Sequence, residues 1–203
     1  MNKVLFLLLV CAVGSAMSKM GMTFIKTAHD SRFGIDNFSC HAPAGFDGVK
    51  SCNAYTGDTD CETSLPVLCV NIDNSPRPAY PITDPGCTSC AMPYWFYFGW
   101  GRGNVASTTP VKASQFQTRQ DIDAFCASTF GTGWKVESWN EMSKWISGMG
   151  GVDGLKYSGS EWTANADKMQ SGGWGFFAYG NVRNDIRLWM HGPLDQSSTC
   201  WAH

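Results

Sequence analysis

Eight cysteines follow the first eighteen residues: Cys40, Cys52, Cys61, Cys69, Cys87, Cys90, Cys126 and Cys200. In a chain destined for an oxidising compartment, an even count reads as a disulfide framework, and staples of this kind limit which elements can be neighbours. Eight cysteines allow about 105 pairings, and the residues alone select none of them. The spacing Cys87-Thr88-Ser89-Cys90 also suits a zinc ligand pair. A second well-spaced Cys or His pair is missing, and no strand–helix–strand context supports a thiol redox motif. The expectation is disulfides, with no metal and no cofactor.

The oxidising compartment is inferred from residues 1–18, which have the three parts of a cleavable secretion signal. Lys3 supplies the positive start, Val4 to Val13 an apolar run, and Ala12, Gly14, Ser15, Ala16 and Ser18 the small residues. Cleavage after Ala16 and after Ser18 both fit. The run is too short to span a bilayer, which takes roughly 20 residues. Cys11 is preceded by Val10 rather than the small residue that lipoprotein processing needs. The expected product is a soluble chain that is secreted, periplasmic or at the cell surface, with no membrane insertion after cleavage.

Composition narrows the partners. Fifteen Lys and Arg face seventeen Asp and Glu, a formal net charge of −2. There is no basic patch with which to neutralise phosphates, which argues against nucleic acid and against an anionic membrane surface. Nine Trp and twelve Phe promise a ring-rich core.

The chain divides into a signal (1–18), a Cys- and Pro-rich segment (19–93) and a more periodic region (94–203). In the Cys-rich segment, Pro76-Arg77-Pro78 and Asp84-Pro85-Gly86 are turn signals, and Leu65 to Ile72 is the one convincing strand. The rest of it reads as loop. From Tyr94 to Trp100 an aromatic run predicts a buried strand. Thr118 can cap a helix of about eleven residues whose face is Ile122, Phe125, Cys126 and Phe130, with Gly131 ending it. Trp134 to Val136 reads as an extended link. Ser138 and Glu141 form a capping box for a second helix, with Met142, Trp145, Ile146 and Met149 on its apolar face. Glu161–Ala164, Trp174–Tyr179, Asp185–His191 and Ser198–Ala202 are short strand candidates between Gly, Asn and Asp turns.

That order of elements resembles the C-type-lectin-like fold, of the kind found in exported bacterial proteins. The residues that carry the resemblance are Phe125-Cys126, Gly133-Trp134-Lys135-Val136, Glu141-Met142, Trp162, Trp174-Gly175-Phe176 and Thr199-Cys200-Trp201. It covers about 110 residues. It implies an α+β class: two helices and a small antiparallel sheet, preceded by the loop-rich, disulfide-stapled segment. It also implies a bridge between Cys126 and Cys200. The family's calcium- and sugar-binding triplets are absent. Asn184-Asp185 matches half of a calcium-ligand pair but lacks the preceding Trp.

No catalytic motif is present, so no catalytic residue is assigned. His29, His41, His191 and His203 lie in no nucleophile or metal motif. A hydrolase built from scattered Ser, His and Asp has nothing to single it out. Asp58, Asp60 and Glu62 alternate, which could aim oxygens at calcium or simply mark a solvated acidic turn. The stretch holding Trp162, Asn165, Trp174, Tyr179, Asn181, Asn184 and Asp185 combines aromatic faces with amides, which suits sugar rings. Its tryptophans could equally fill the core. The function expected is an exported, non-catalytic recognition module for a glycan or a protein surface. The alternative is a structural or assembly component of a surface appendage or envelope complex. The oligomeric state is not readable from the residues.

Overall fold

The structure, a computed structural model, describes residues 19–31, 33–40, 56–73, 75, 98–138, 153–157, 162–164, 175–192 and 199–201. Thirteen strands, one 3-10 turn and one helix lie among them. The strands are β1 (Met20–Gly21), β2 (Thr23–Asp30), β3 (Ile35–Ser39), β4 (Thr59–Asp60), β5 (Ser64–Leu65), β6 (Leu68–Ile72), β7 (Phe98–Ser107), β8 (Val111–Lys112), β9 (Lys135–Val136), β10 (Asp153–Tyr157), β11 (Trp162–Ala164), β12 (Gly175–Tyr179) and β13 (Leu188–Trp189). The helix α1 spans Arg119–Phe130.

Nine of these strands form one mixed sheet, in the order β11-β10-β7-β12-β3-β2-β13, with β6 paired to β7 and β9 to β6. Only β7–β12 is parallel. β7 is the organiser. Gly99 pairs with Gly154 of β10 on one edge and with Phe176 of β12 on the other. Asn104 likewise sits between Asn71 of β6 and Tyr179 of β12. β10 and β6 therefore lie end to end along one edge of β7, and the sheet forks there into two arms.

Around β6 both faces of the sheet are buried. The alternation in β6 sends Leu68 and Val70 into one core with Phe24, Phe38, Val105, Phe176, Leu188 and Met190. It sends Cys69 into the other, with Ile122, Cys126, Val136, Trp189 and Trp201. Phe38 and Phe176 stack at 5.0 Å across β3 and β12.

Three expectations change. The fold is mostly β, with one helix among the described residues, so the α+β arrangement of two helices and a small antiparallel sheet is incorrect. The second helix, from Ser138 to Met149, falls almost wholly outside the described residues. Ser138 itself bridges to His191 as an isolated β-pair. Nor are the described residues before residue 94 mainly loop. β2 and β3 are central strands, and β3 pairs directly with β12 from the C-terminal region. They escaped a search for period-two alternation because their interior positions carry Lys26, Asp36, Asn37 and Ser39, all buried.

The third correction is covalent. Cys126 bonds to Cys69, and Cys200 bonds to Cys61, so the Cys126–Cys200 bridge implied by the lectin-like resemblance is not formed. The reason lies in the layers. α1 packs over β6 and β9, which presents Cys126 to the face of β6 that carries Cys69. Cys200 instead meets the strand pair β1–β4, beside Cys61 and Gly21. Cys40 is also disulfide-bonded.

Candidate functional site

Buried charge concentrates at one end of the β2–β3–β12 ladder. Asp36 is fully buried, and its two oxygens serve three partners. Oδ1 lies 2.9 Å from Lys26 Nζ and 2.7 Å from His29 Nδ1. Oδ2 accepts the backbone N–H of Val182 at 2.7 Å. The Lys26 ammonium has three donors, and each has an acceptor. Besides Asp36 these are the Val182 carbonyl at 2.6 Å and Asn181 Oδ1 at 3.0 Å. A buried charge is tolerable only when paired and hydrogen-bonded in this way.

These bonds fix the segment that leaves β12. Gly180 donates its N–H to the Gly34 carbonyl at 2.8 Å, extending the ladder by one rung. A side chain at Gly180 would put its Cβ 2.7 Å from Val105 Cγ2 and 2.9 Å from the Val105 carbonyl oxygen. Only glycine permits that approach. Beyond the anchor, Asn181, Arg183, Asn184 and Asp185 are all exposed. Arg183 donates from Nε and Nη2 to the two Asp185 oxygens, at 2.6 and 2.7 Å. That hydrogen-bonded fork holds the Asp185 carboxyl below its ordinary range and raises Arg183.

The far end of the loop is fastened by a second buried cation. Arg187 donates to the Thr23 hydroxyl, to the Thr23 carbonyl at 2.7 Å and to the Cys40 carbonyl at 3.0 Å. Asp58 faces it at 3.8 Å, with both side chains buried. Asp58 also accepts from Thr23 and Thr59. The three carboxylates flagged as alternating are thus put to separate uses. Asp58 serves the Arg187 anchor, Asp60 accepts from the Glu62 N–H in a turn, and Glu62 pairs with Lys112.

Of the seven residues proposed from sequence, Tyr179, Asn181, Asn184 and Asp185 fall on this loop and the strand end that leads into it. Asn165 and Trp174 lie outside the described residues. Trp162 is elsewhere on the sheet. It sits opposite Tyr157, two residues short of the Phe98 level, whereas Tyr179 is opposite Asn104, six residues past it. At ladder spacing the separation is on the order of 25 Å along the strands and three strands across. Sequence reasoning missed Lys26, Asp36 and Arg187, and it singled out Asp58 only as a calcium-ligand candidate or part of an acidic turn. A signal existed: Lys26 follows Phe24-Ile25, and Arg187 stands between Ile186 and Leu188-Trp189, charges inside apolar runs.

A second buried polar group joins Glu137, Ser138 and His191. His191 donates its backbone N–H to the Glu137 carbonyl at 2.9 Å, and its ring stacks on Trp201 at 6.1 Å. Comparison with family models, curated proteins and solved structures finds no match, and nothing identifies a C-type-lectin-like domain.

Proposed function

We propose that this chain is an exported, non-catalytic recognition module whose ligand is held on the 179–185 loop. The observation that carries the reading is the disposition of charge around that loop. Lys26 with Asp36 fastens its start, Arg187 with Asp58 fastens its end, and Arg183, Asn184 and Asp185 between them face solvent. Buried ion pairs are a poor route to stability, since apolar replacements often do as well. They do hold a backbone in one geometry, and a polar loop ordered before binding loses less entropy on capture. Export is supported by the disulfides and by the signal-like first eighteen residues. Among the described residues no helix is long and apolar enough to cross a membrane.

The test uses two printed panels, one of glycans and one of envelope and matrix proteins. Wild type should be retained on a subset of one panel. The triple variant Arg183→Ala, Asn184→Ala, Asp185→Ala should lose retention with little change in melting temperature. Absence of retention on both panels, together with concentration-dependent oligomers, would replace this reading with the assembly-component one.

A further inference from the structure

We infer that His29 contacts the ligand at the base of this loop, its Nε2 accepting a hydrogen bond from a saccharide hydroxyl. The inference rests on the reading of the 179–185 loop as the binding surface. A bulge in β2 creates the arrangement. The register shifts between Lys26, opposite Phe38, and Ala28, opposite Asn37, and His29 then falls opposite Asp36. Lys26 and His29, three residues apart, therefore share the face of the hairpin that carries Asp36, whereas an unbroken strand would send them to opposite faces. Asp36 ties His29 to the loop. From His29 Nδ1 it is 2.7 Å to Asp36 Oδ1, 2.9 Å on to Lys26 Nζ and 3.0 Å on to Asn181 Oδ1. Asp36 Oδ2 meanwhile holds the Val182 N–H at 2.7 Å.

Those contacts decide which atoms are left for a ligand. A carboxylate can only accept, so His29 Nδ1 carries the hydrogen and Nε2 of the neutral ring keeps its lone pair. Among the described residues nothing bonds Nε2, and it is not sealed from solvent: the His29 side chain is 23% exposed. A buried carboxylate that fixes the tautomer of a histidine whose other nitrogen faces outward is the arrangement by which proteins aim an imidazole at a bound group. Lys26 takes Asn181 Oδ1, so the exposed Asn181 amide presents its NH2. The base of the loop thus offers one acceptor and one donor, each fixed from beneath by the same ion pair. An ionised carboxylate or sulfate brings only acceptors and has nothing to give the Nε2 lone pair. Sugar hydroxyls each donate and accept, so one can give to Nε2 while another takes from Asn181. A protein presents its hydroxyls singly, whereas a polysaccharide carries neighbouring hydroxyls on every unit.

The test is retention of the mature chain, at about pH 7.5 and about pH 5.5 on either side of the ordinary imidazole titration, on neutral polysaccharides (mannan, dextran), on acidic ones (heparin, polygalacturonate) and on the protein panel. Wild type should be held by at least one polysaccharide at the higher pH. His29→Asn keeps an amide N–H in place of Nδ1–H to meet Asp36 but has no atom at the position of Nε2. It should melt with wild type and lose roughly tenfold in retention, the worth of one hydrogen bond. In wild type, an oligosaccharide of the retaining polysaccharide should slow carbethoxylation of His29 by diethyl pyrocarbonate, read by peptide mass. Equal modification with and without the oligosaccharide would overturn the inference whatever the stability of the variant. Retention that the triple loop variant abolishes but His29→Asn leaves intact would overturn the inference and spare the loop. So would retention that strengthens at the lower pH, the mark of a protonated imidazole holding an anion, and retention on proteins alone. No retention on any probe would overturn the inference and the loop reading together.

Discussion

At the scale of single residues, Asp36 joins three segments with two oxygens. Lys26 and His29 reach it from β2, and Val182 from the loop after β12. Removing it would leave Lys26 as a buried cation with only neutral acceptors. The expected loss for Asp36→Ala is about 3–5 kcal/mol, the range for breaking a buried pair from one side. Urea denaturation checks it, and a loss under about 1 kcal/mol would mean that water reaches Lys26. The same residue shows why the site was only half legible. The exposed side, Tyr179 to Asp185, stands out as a polar stretch next to aromatics. The buried side comes from β2 and β3, 146 to 156 residues earlier in the chain, and no local pattern links Asp36 to Val182. Trp162 was grouped with the loop by nearness in sequence, which the forked sheet undoes.

Elements differed in how openly their sequences declared them. α1 was readable because its determinants are local. Thr118 accepts from the Asp121 N–H, Asp121 accepts from the Thr118 N–H, and Gly131 follows the last turn. Thr118→Ala should cost about 1 kcal/mol. The Asp121 carboxyl is held below its ordinary 3.8 by the Thr118 backbone and hydroxyl hydrogen bonds. A carboxyl lowered in the folded state adds stability that is complete above its unfolded value and fades as pH falls through the folded one. The deficit of Asp121→Ala relative to wild type should therefore be full at neutral pH and shrink below about pH 4, as read by thermal melts across that range. A deficit that stays constant with pH would show that the box does not act through the ionised carboxylate. β2 and β3 were unreadable for the opposite reason. Their polar interior positions are satisfied by distant partners, so neither strand shows the alternation that a half-buried strand displays. β6 was legible as an apolar run but not as two pieces. Pro66, Val67 and the register divide it into β5, paired with β8, and β6, paired with β7.

At the scale of the whole molecule, the covalent framework sets which distant segments must meet. The two described bridges are nested: Cys69–Cys126 closes 57 residues inside the 139 closed by Cys61–Cys200. In the chain-entropy model they contribute about 4 and 5 kcal/mol respectively. The outer bridge holds the last described residues in place. Lys19 donates to the Cys200 carbonyl, Trp201 donates from its indole to the Ala113 carbonyl at 2.9 Å, and the Trp201 ring is buried. The inner bridge fastens α1 to the sheet. Non-reducing proteolysis with mass spectrometry should recover Cys61 linked to Cys200 and Cys69 linked to Cys126. A Cys126–Cys200 peptide would overturn this topology. Energetics give an independent check, because partners share one loss and strangers do not. Cys69→Ser and Cys126→Ser together should cost little more than either alone. Cys126→Ser and Cys200→Ser should nearly add. The double loss should exceed the sum of the singles by only about 0.5 kcal/mol, because each bridge shortens the loop that the other closes.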